Sequence, residues 1–337
     1  MNLTDSVLEG DRLALARLLS QLENDTPEGR AALNKLFAHT GKAHLVGITG
    51  APGTGKSSLV NRLAYHYRHP PDGKEPIRVA VVAVDPSSPF SGGAVLGDRV
   101  RMRDLAGDPG VFIRSMASRG SLGGLARTTA SLVQAFDAAG FDTILIETVG
   151  AGQAEVDIAS LAHTTVVVEA PGLGDDIQAI KAGILEIADV LVVNKADRPG
   201  VEITERALRS TLNLAHPIAR KSQHQESVEG VAEIEDDGAL WVPPIQRTIA
   251  IEGTGIEQLA GWISRHREFL ENTHEWRNRE RMRLRSELEV LLREGLVSRW
   301  RETTNEENFK RVLNRLVARR ISPRQAVGIL LDEEDLR

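Results

Sequence analysis

Apolar positions recur at two different periods along this chain, and the change from one to the other sets its architecture. Over residues 3–39, Leu8, Leu13, Leu15, Leu18, Leu19 and Leu22 fall at helical spacing, and Pro27 opens a second amphipathic segment ending near His39. The spacing predicts helices that cap the domain that follows. From residue 44 the pattern changes. Runs at 45–48, 78–84, 143–147, 164–168 and 190–194 are short and almost wholly apolar, and they alternate with helical stretches such as 58–67 and 124–139. A last candidate strand lies at 245–251, whereas 111–113 is only a brief apolar piece in a Gly- and Ser-rich section. Strands apolar on both faces and linked by helices imply an α/β fold, a mostly parallel sheet covered on both sides. Residues 201–242 read as a polar helical insert with an acidic tip at Glu233-Ile-Glu-Asp-Asp. Residues 256–337 turn helical again: Leu284, Leu288, Leu291, Leu292 and Leu296 line one face of a long helix, and Ser322-Pro323 opens a short last one by capping residue and N1 proline.

Composition narrows this picture. Among 337 residues, 41% are hydrophobic but only 4% aromatic, so the core is aliphatic. The absence of cysteine excludes disulfides, thiolate metal sites and cysteine nucleophiles. A net charge of −6 argues against a general nucleic-acid binder. The Arg-rich run at 277–285 is interleaved with Glu and reads as a solvated helix face or a dimer-forming surface. No apolar stretch approaches the roughly 20 residues of a membrane span. The start, Met1-Asn-Leu-Thr-Asp-Ser, lacks the basic and apolar regions of a signal peptide. The expectation is a soluble, cytoplasmic protein without nucleic-acid or membrane partners.

The chemistry concentrates at predicted strand ends, where open parallel sheets bind ligands. Residues Gly50-Ala51-Pro52-Gly53-Thr54-Gly55-Lys56-Ser57 fit G-x-x-x-x-G-K-[ST] between a strand and a helix, the context of a P-loop. There the backbone of 50–58, Ser58 included, would cradle phosphates at a helix N-terminus with the N–H groups of all but Pro52. Lys56 would reach the outer phosphates and the Ser57 hydroxyl would ligate Mg²⁺. At another strand end, Asn194-Lys195-Ala196-Asp197 fits the N-K-x-D pattern that reads guanine. Its carboxylate accepts from the ring N–H and exocyclic amine, and adenine would leave it unpaired. Three acids, Asp85, Asp98 and Glu147, fall in loops facing the P-loop and suit Mg²⁺, which takes one or two carboxylates on a nucleotide. After Glu147, Gly150-Ala-Gly-Gln153 gives a loop able to move when a γ-phosphate leaves, with Gln153 placed to orient water. Pro171-Gly-Leu-Gly-Asp-Asp is a further Gly-rich loop, whose Asp175 could pair with Lys181.

In this order the motifs resemble one family, the MeaB/ArgK GTPases, metallochaperones of adenosylcobalamin-dependent acyl-CoA mutases, including methylmalonyl-CoA mutase. The match runs over roughly residues 44–260, through Val84-Asp-Pro-Ser-Ser, Gly92-Gly-Ala-Val-Leu-Gly-Asp-Arg and Ser121-Leu-Gly-Gly as well. The resemblance implies a homodimeric Mg²⁺-dependent GTPase of low intrinsic rate that gates cofactor loading of the mutase and protects it. It implies a P-loop NTPase domain at 43–262, an N-terminal helical extension at 1–42 and a C-terminal helical dimerisation region at 263–337. It further implies that Ser57, Asp85, Asp98 and Glu147 surround Mg²⁺. Lys56, Asp98, Glu147, Gln153 and Arg101 would form the hydrolytic set, with Arg101 responding to nucleotide, and Asp175 and Lys181 would belong to a switch that signals to the mutase. One departure stands out. The loop that supports guanine is Thr248-Ile-Ala250-Ile251-Glu-Gly-Thr-Gly, so Ala250 or Ile251 would contact the base through backbone. Two alternatives stay open: a nickel-insertion GTPase for hydrogenase or urease, which would carry Cys or His tracts, and a P-loop small-molecule kinase, which would not need N-K-x-D.

Overall fold

The computed structural model describes residues 2–71, 73–86, 102–105, 107–118, 124–148, 154–172, 185–215, 240–303 and 306–331. Its contacts divide the chain into two compact units, 1–284 and 285–337. The first unit is built on seven strands: β1 (His44–Thr49), β2 (Val79–Pro86), β3 (Val111–Ser118), β4 (Thr143–Glu147), β5 (Thr164–Glu169), β6 (Val190–Asn194) and β7 (Ile245–Thr248). They pair in the order β3-β2-β4-β1-β5-β6-β7, every neighbour parallel. Strand β1 sits in the middle with all six residues buried, which is why its sequence shows no polar alternation.

Successive side chains leave opposite faces of the sheet. On one face Leu45, Ala80, Val82 and Ile144 meet the helices α1 (Leu3–Leu8), α2 (Arg12–Glu23), α3 (Pro27–Leu36), α5 (Gly124–Ala138) and α6 (Ala154–Leu161). On the other, Val46, Ile48, Val81, Leu145 and Val166 meet α4 (Lys56–Arg68) and α8 (Ile256–Asn272). The N-terminal helices thus cap the sheet. They are delimited as their residues dictate: Asp11 accepts from the N–H groups of Leu13 and Ala14, and Thr26 from that of Gly29, with Pro27 opening α3. Gly47 allows the tight packing of α6, since a Cβ there would lie 2.5 Å from Ile158 Cγ1.

Two readings of the sequence change. The brief apolar piece at 111–113 is the start of an eight-residue edge strand, β3. Arg114 breaks its apolar pattern because it leaves the sheet edge to pair with Glu23 and Ser20 of α2. The segment 201–215 is not part of an insert. It is α7 (Val201–Ala215), whose Val201, Leu208 and Leu212 pack on Val167, Leu191 and Val193. Residues 216–239, with the acidic tip, lie outside the described residues.

At the amino ends of the strands a polar network is sealed inside the unit. Thr164 Oγ1 lies 2.7 Å from His44 Nε2 and 2.8 Å from His266 Nδ1, and His163 Nδ1 accepts from the Leu45 N–H. Asp189 accepts from Thr165 N–H and from both arms of Arg279, and faces His266 Nε2 at 3.2 Å. Trp276 lies over His163 with ring centroids 3.9 Å apart. Burial, helped by the neighbouring His163, Arg267 and His266, holds His44 well below its ordinary value, and burial also lowers His163. Burial opposes ionisation of Glu280, yet hydrogen bonds from His163 and Arg283 bring it down to about 2. Arg279 and Arg283, read from the sequence as part of a solvated face, are turned into this network instead.

The second unit holds α10 (Glu306–Val317) and α11 (Pro323–Leu331), and the long helix α9 (Glu275–Thr303) supplies its first residues. Ser322 Oγ accepts from Gln325 N–H while Gln325 Oε1 accepts from Ser322 N–H, a reciprocal capping box at the start of α11. Trp300 Nε1 donates to Leu330 O and its ring meets Phe309. Among the described residues, no helix is long and apolar enough to cross a membrane.

Candidate functional site

A parallel sheet gathers the carboxyl ends of all its strands along one edge. Strand β1 ends in the loop Gly50–Gly55, β4 ends in Glu147 and β6 ends in Asn194, so three motifs far apart in sequence converge. The loop could not be built with other residues. Gly50, Gly53 and Gly55 have φ of 138°, 83° and 93°. A Cβ on Gly50 would lie 2.1 Å from Val168 O, and one on Gly55 would lie 2.4 Å from Asn194 Nδ2. Such a loop leaves room for a ligand's phosphates beside its own N–H groups. Thr54 closes the turn, with both its N–H and its hydroxyl donating to Ala51 O. Ala51 and Pro52 form the outer arch of the loop, while Ser57 and Ser58 lie in the first turn of α4.

Lys56 opens α4 and is 6% exposed. Its ammonium donates to Gly50 O at 2.8 Å and Ala51 O at 3.0 Å, which places a positive charge under the phosphate cradle. One residue on, Ser57 Oγ donates to Glu147 Oε1 at 2.6 Å. A hydroxyl and a carboxylate in contact at a helix N-terminus are hard oxygen donors of the kind Mg²⁺ prefers. The donor set therefore fits the ion. Asp85 ends β2 on the same edge of the sheet, though its side chain lies outside the described residues. Asp98, Arg101, Gln153, Asp175 and Lys181 also lie outside the described residues.

Asn194 is the knot of the site. It is 2% exposed and its amide is used at both ends. Nδ2 donates to Thr54 O of the P-loop at 2.8 Å, while Oδ1 accepts from Thr248 Oγ1 and from the Ala250 N–H, each at 3.1 Å. Lys195 follows in the left-handed region, at φ 57°, and its ammonium reaches Gly53 O at 2.6 Å. A non-glycine residue held there stores strain that the surroundings must impose, a common mark of functional sites. The Ala196 N–H donates to Thr248 O, and Asp197 stands exposed beyond it. Ile249 and Thr254 bridge the loop after β7, burying Ala250 and leaving Ile251 70% exposed.

The structure thus brings the P-loop, Glu147, Asn194, Lys195, Ala250 and their neighbours into one site. It also adds residues that spacing did not single out. Thr248 holds Asn194, Thr148 Oγ1 donates to Thr49 Oγ1 beneath the site, and Arg62 of α4 donates to Ala250 O and Ile251 O. The position of Thr248 at the end of the last strand was the available signal. Arg62 offered none, because an arginine on an amphipathic helix reads as a solvated residue.

The whole arrangement has relatives. The model of the family described as methylmalonyl Co-A mutase-associated GTPase MeaB matches residues 15–305. A putative GTPase of Pyrococcus horikoshii is 42% identical, over 98% of this chain and 97% of its own length. The GTPase ArgK of Escherichia coli is 34% identical, over 74% of this chain and 71% of its own. In fold, the chain is similar to a crystal structure titled as an LAO/AO transport system kinase, with TM-score 0.65, 22% identity and coverage of 97% of this chain and 95% of that one. A glycine-built loop over a buried lysine, its link through Asn194 to the loop after β7 and a family match across most of the length agree, and the chain belongs to the MeaB family of GTPases.

Proposed function

We propose that this protein is a Mg²⁺-dependent GTPase of low intrinsic rate that binds an adenosylcobalamin-dependent acyl-CoA mutase and gates its cofactor loading and protection. The observation that carries the hydrolytic part is the Ser57–Glu147 contact at 2.6 Å beside the buried Lys56 ammonium. The mutase part is supported by the family description alone.

Phosphoryl transfer needs positioning and charge stabilisation more than covalent chemistry. In the proposed complex, the N–H groups of residues 50–58 other than Pro52 cradle the phosphates, and Lys56 exchanges its carbonyl partners for phosphate oxygens, which attract an ammonium more strongly. Ser57 and Glu147 hold Mg²⁺, directly or through water, with Asp85 and Asp98 as further carboxylates. Bound there, the ion neutralises the charge that develops on the phosphates. Asn194 keeps the phosphate and base loops in fixed register, Lys195 packs along the base and Asp197 accepts its ring N–H and amine. Gln153 orients the attacking water and Arg101 responds to the nucleotide. A slow basal rate is proposed, with faster hydrolysis once the mutase is bound.

Release of the γ-phosphate then frees the loops that touched it, which changes the partner conformation preferred. Asp175 and Lys181 are proposed to carry that change to the mutase. The chain is proposed to act in the cytoplasm as a homodimer through its C-terminal helices, where Leu288, Leu292, Leu296, Leu313 and Val317 are exposed. Large exposed apolar groups of this kind mark association surfaces. The test is capture of purified acyl-CoA mutases by the immobilised protein, with GDP and with a non-hydrolysable GTP analogue. Capture that depends on the nucleotide is expected, and no capture with either nucleotide would contradict the partner assignment.

A further inference from the structure

The loop after β7 has little to offer a base except its backbone. Ala250 and Ile251 carry no polar side-chain atoms, and Ala250 spends its N–H on Asn194 Oδ1. The N–H groups of Glu252 and Gly253 turn back onto Ile249 O. The Ile251 N–H is the donor left at the tip, and its direction is what a base would read. That direction is controlled from α4. Arg62 donates through Nε to Ala250 O at 3.3 Å and through Nη2 to Ile251 O at 3.0 Å, so its guanidinium spans two successive carbonyls. Among the described residues no peptide is cis, and in a trans peptide the carbonyl and the following N–H point to opposite sides of the same plane. Gripping Ala250 O therefore aims the Ile251 N–H away from Arg62. The rest of the loop is already fixed, by Asn194 on Thr248 and Ala250 and by the bonds around Ile249, so the Ala250–Ile251 peptide is the adjustable part.

We propose that Arg62 is a positioning residue for base specificity: its two-carbonyl grip aims the Ile251 N–H at the atom on carbon six of the purine. A donor there is matched by the oxygen of guanine and opposed by the amino group of adenine. This inference rests on the guanine-binding reading above. Arg62 touches no part of the base and acts through the peptide it holds. A lysine cannot replace it, because a single ammonium lacks the planar fork that spans two acceptors.

The test compares binding of GDP, 6-thio-GDP and ADP to the full chain and to its Arg62→Ala and Arg62→Lys variants, with thermal melts run alongside. Sulfur is a weak acceptor, so 6-thio-GDP weakens the contact at issue while keeping the ring N–H and the exocyclic amine. Wild type is expected to prefer GDP over both other ligands. Arg62→Ala is expected to lose about tenfold in GDP affinity (about 1.4 kcal/mol) but less than about threefold for 6-thio-GDP, and Arg62→Lys is expected to follow it. Equal weakening of GDP and 6-thio-GDP would show a merely structural role and overturn the proposal, as would unchanged GDP affinity in either variant. Wild type binding GDP and ADP equally would overturn the guanine reading and this inference with it. A selective wild type whose selectivity survives in Arg62→Ala would overturn the inference alone.

Discussion

Removing the Asn194 side chain should uncouple the phosphate loop from the base loop. Asn194→Ala deletes three hydrogen bonds, to Thr54 O, Thr248 Oγ1 and the Ala250 N–H, at a site only 2% exposed. At about 1 kcal/mol net for each bond, the loss is about 3 kcal/mol, and the orphaned Ala250 N–H adds to it if water cannot enter. For a unit of this size that corresponds to a fall in melting temperature of about 5–10 °C. Asn194→Asp separates the two halves of the contact. It keeps an oxygen for Thr248 and Ala250 but turns a carboxylate oxygen toward the Thr54 carbonyl, so only the P-loop link is lost and replaced by repulsion. Thermal denaturation without nucleotide reads the stability, and titration with a fluorescent guanine nucleotide reads the site. Both variants should lose stability, and both should bind nucleotide at least about tenfold more weakly, since either loop alone is then free to shift. A melting temperature within about 1 °C of wild type would refute the hydrogen-bond arithmetic. Lost stability with unchanged affinity would refute the coupling of the two loops.

Other expectations follow from the same geometry. Gly55→Ala should abolish nucleotide binding, because its Cβ would meet Asn194 Nδ2 at 2.4 Å and the backbone sits at φ 93°; retained binding by calorimetry would contradict that close approach. Lys56→Ala should eliminate GTP hydrolysis in a phosphate-release assay, and retained turnover would count against the P-loop chemistry. Stability should fall as pH drops below about 6.5, the ordinary histidine value. His44 and His163 resist protonation when folded, so the unfolded chain binds more protons there and acid favours it. Urea midpoints at pH 7.5 and 5.5 read the effect, and replacing His44 with Gln should reduce the difference; an unchanged pH dependence would contradict the assignment.

Sequence pattern made the framework legible because the strands are buried on both sides. A run such as Thr143–Glu147 or Val190–Asn194 has no polar face to disguise it, and strand ends of a parallel sheet collect ligands as a matter of topology. That logic places Ser57 near Glu147 across 90 residues, and the two side chains touch. It failed at β3, where an edge strand spends Arg114 on Glu23 and loses its apolar signature. It also failed for contacts made by side chains that look solvated. Arg279 reads as part of a solvated helix face and Arg62 carries no signal, yet one is paired with Asp189 and the other grips the loop after β7. His44, His163 and His266 lie far apart in sequence, and tertiary folding, not spacing, gathers them. The base-side role proposed for Asn194 rests on its motif, whereas its bond to the P-loop has no sequence signal, since nothing in sequence records which carbonyl an amide will meet.

The most direct test of the account is steady-state hydrolysis by the purified full chain, with GTP or ATP as substrate, in Mg²⁺ and after its removal by chelation. The Ser57–Glu147 pair and the Asn194–Asp197 loop predict release of phosphate from GTP only when Mg²⁺ is present, with little or none from ATP. Equal hydrolysis of ATP, or GTP hydrolysis that persists without the metal, would contradict it.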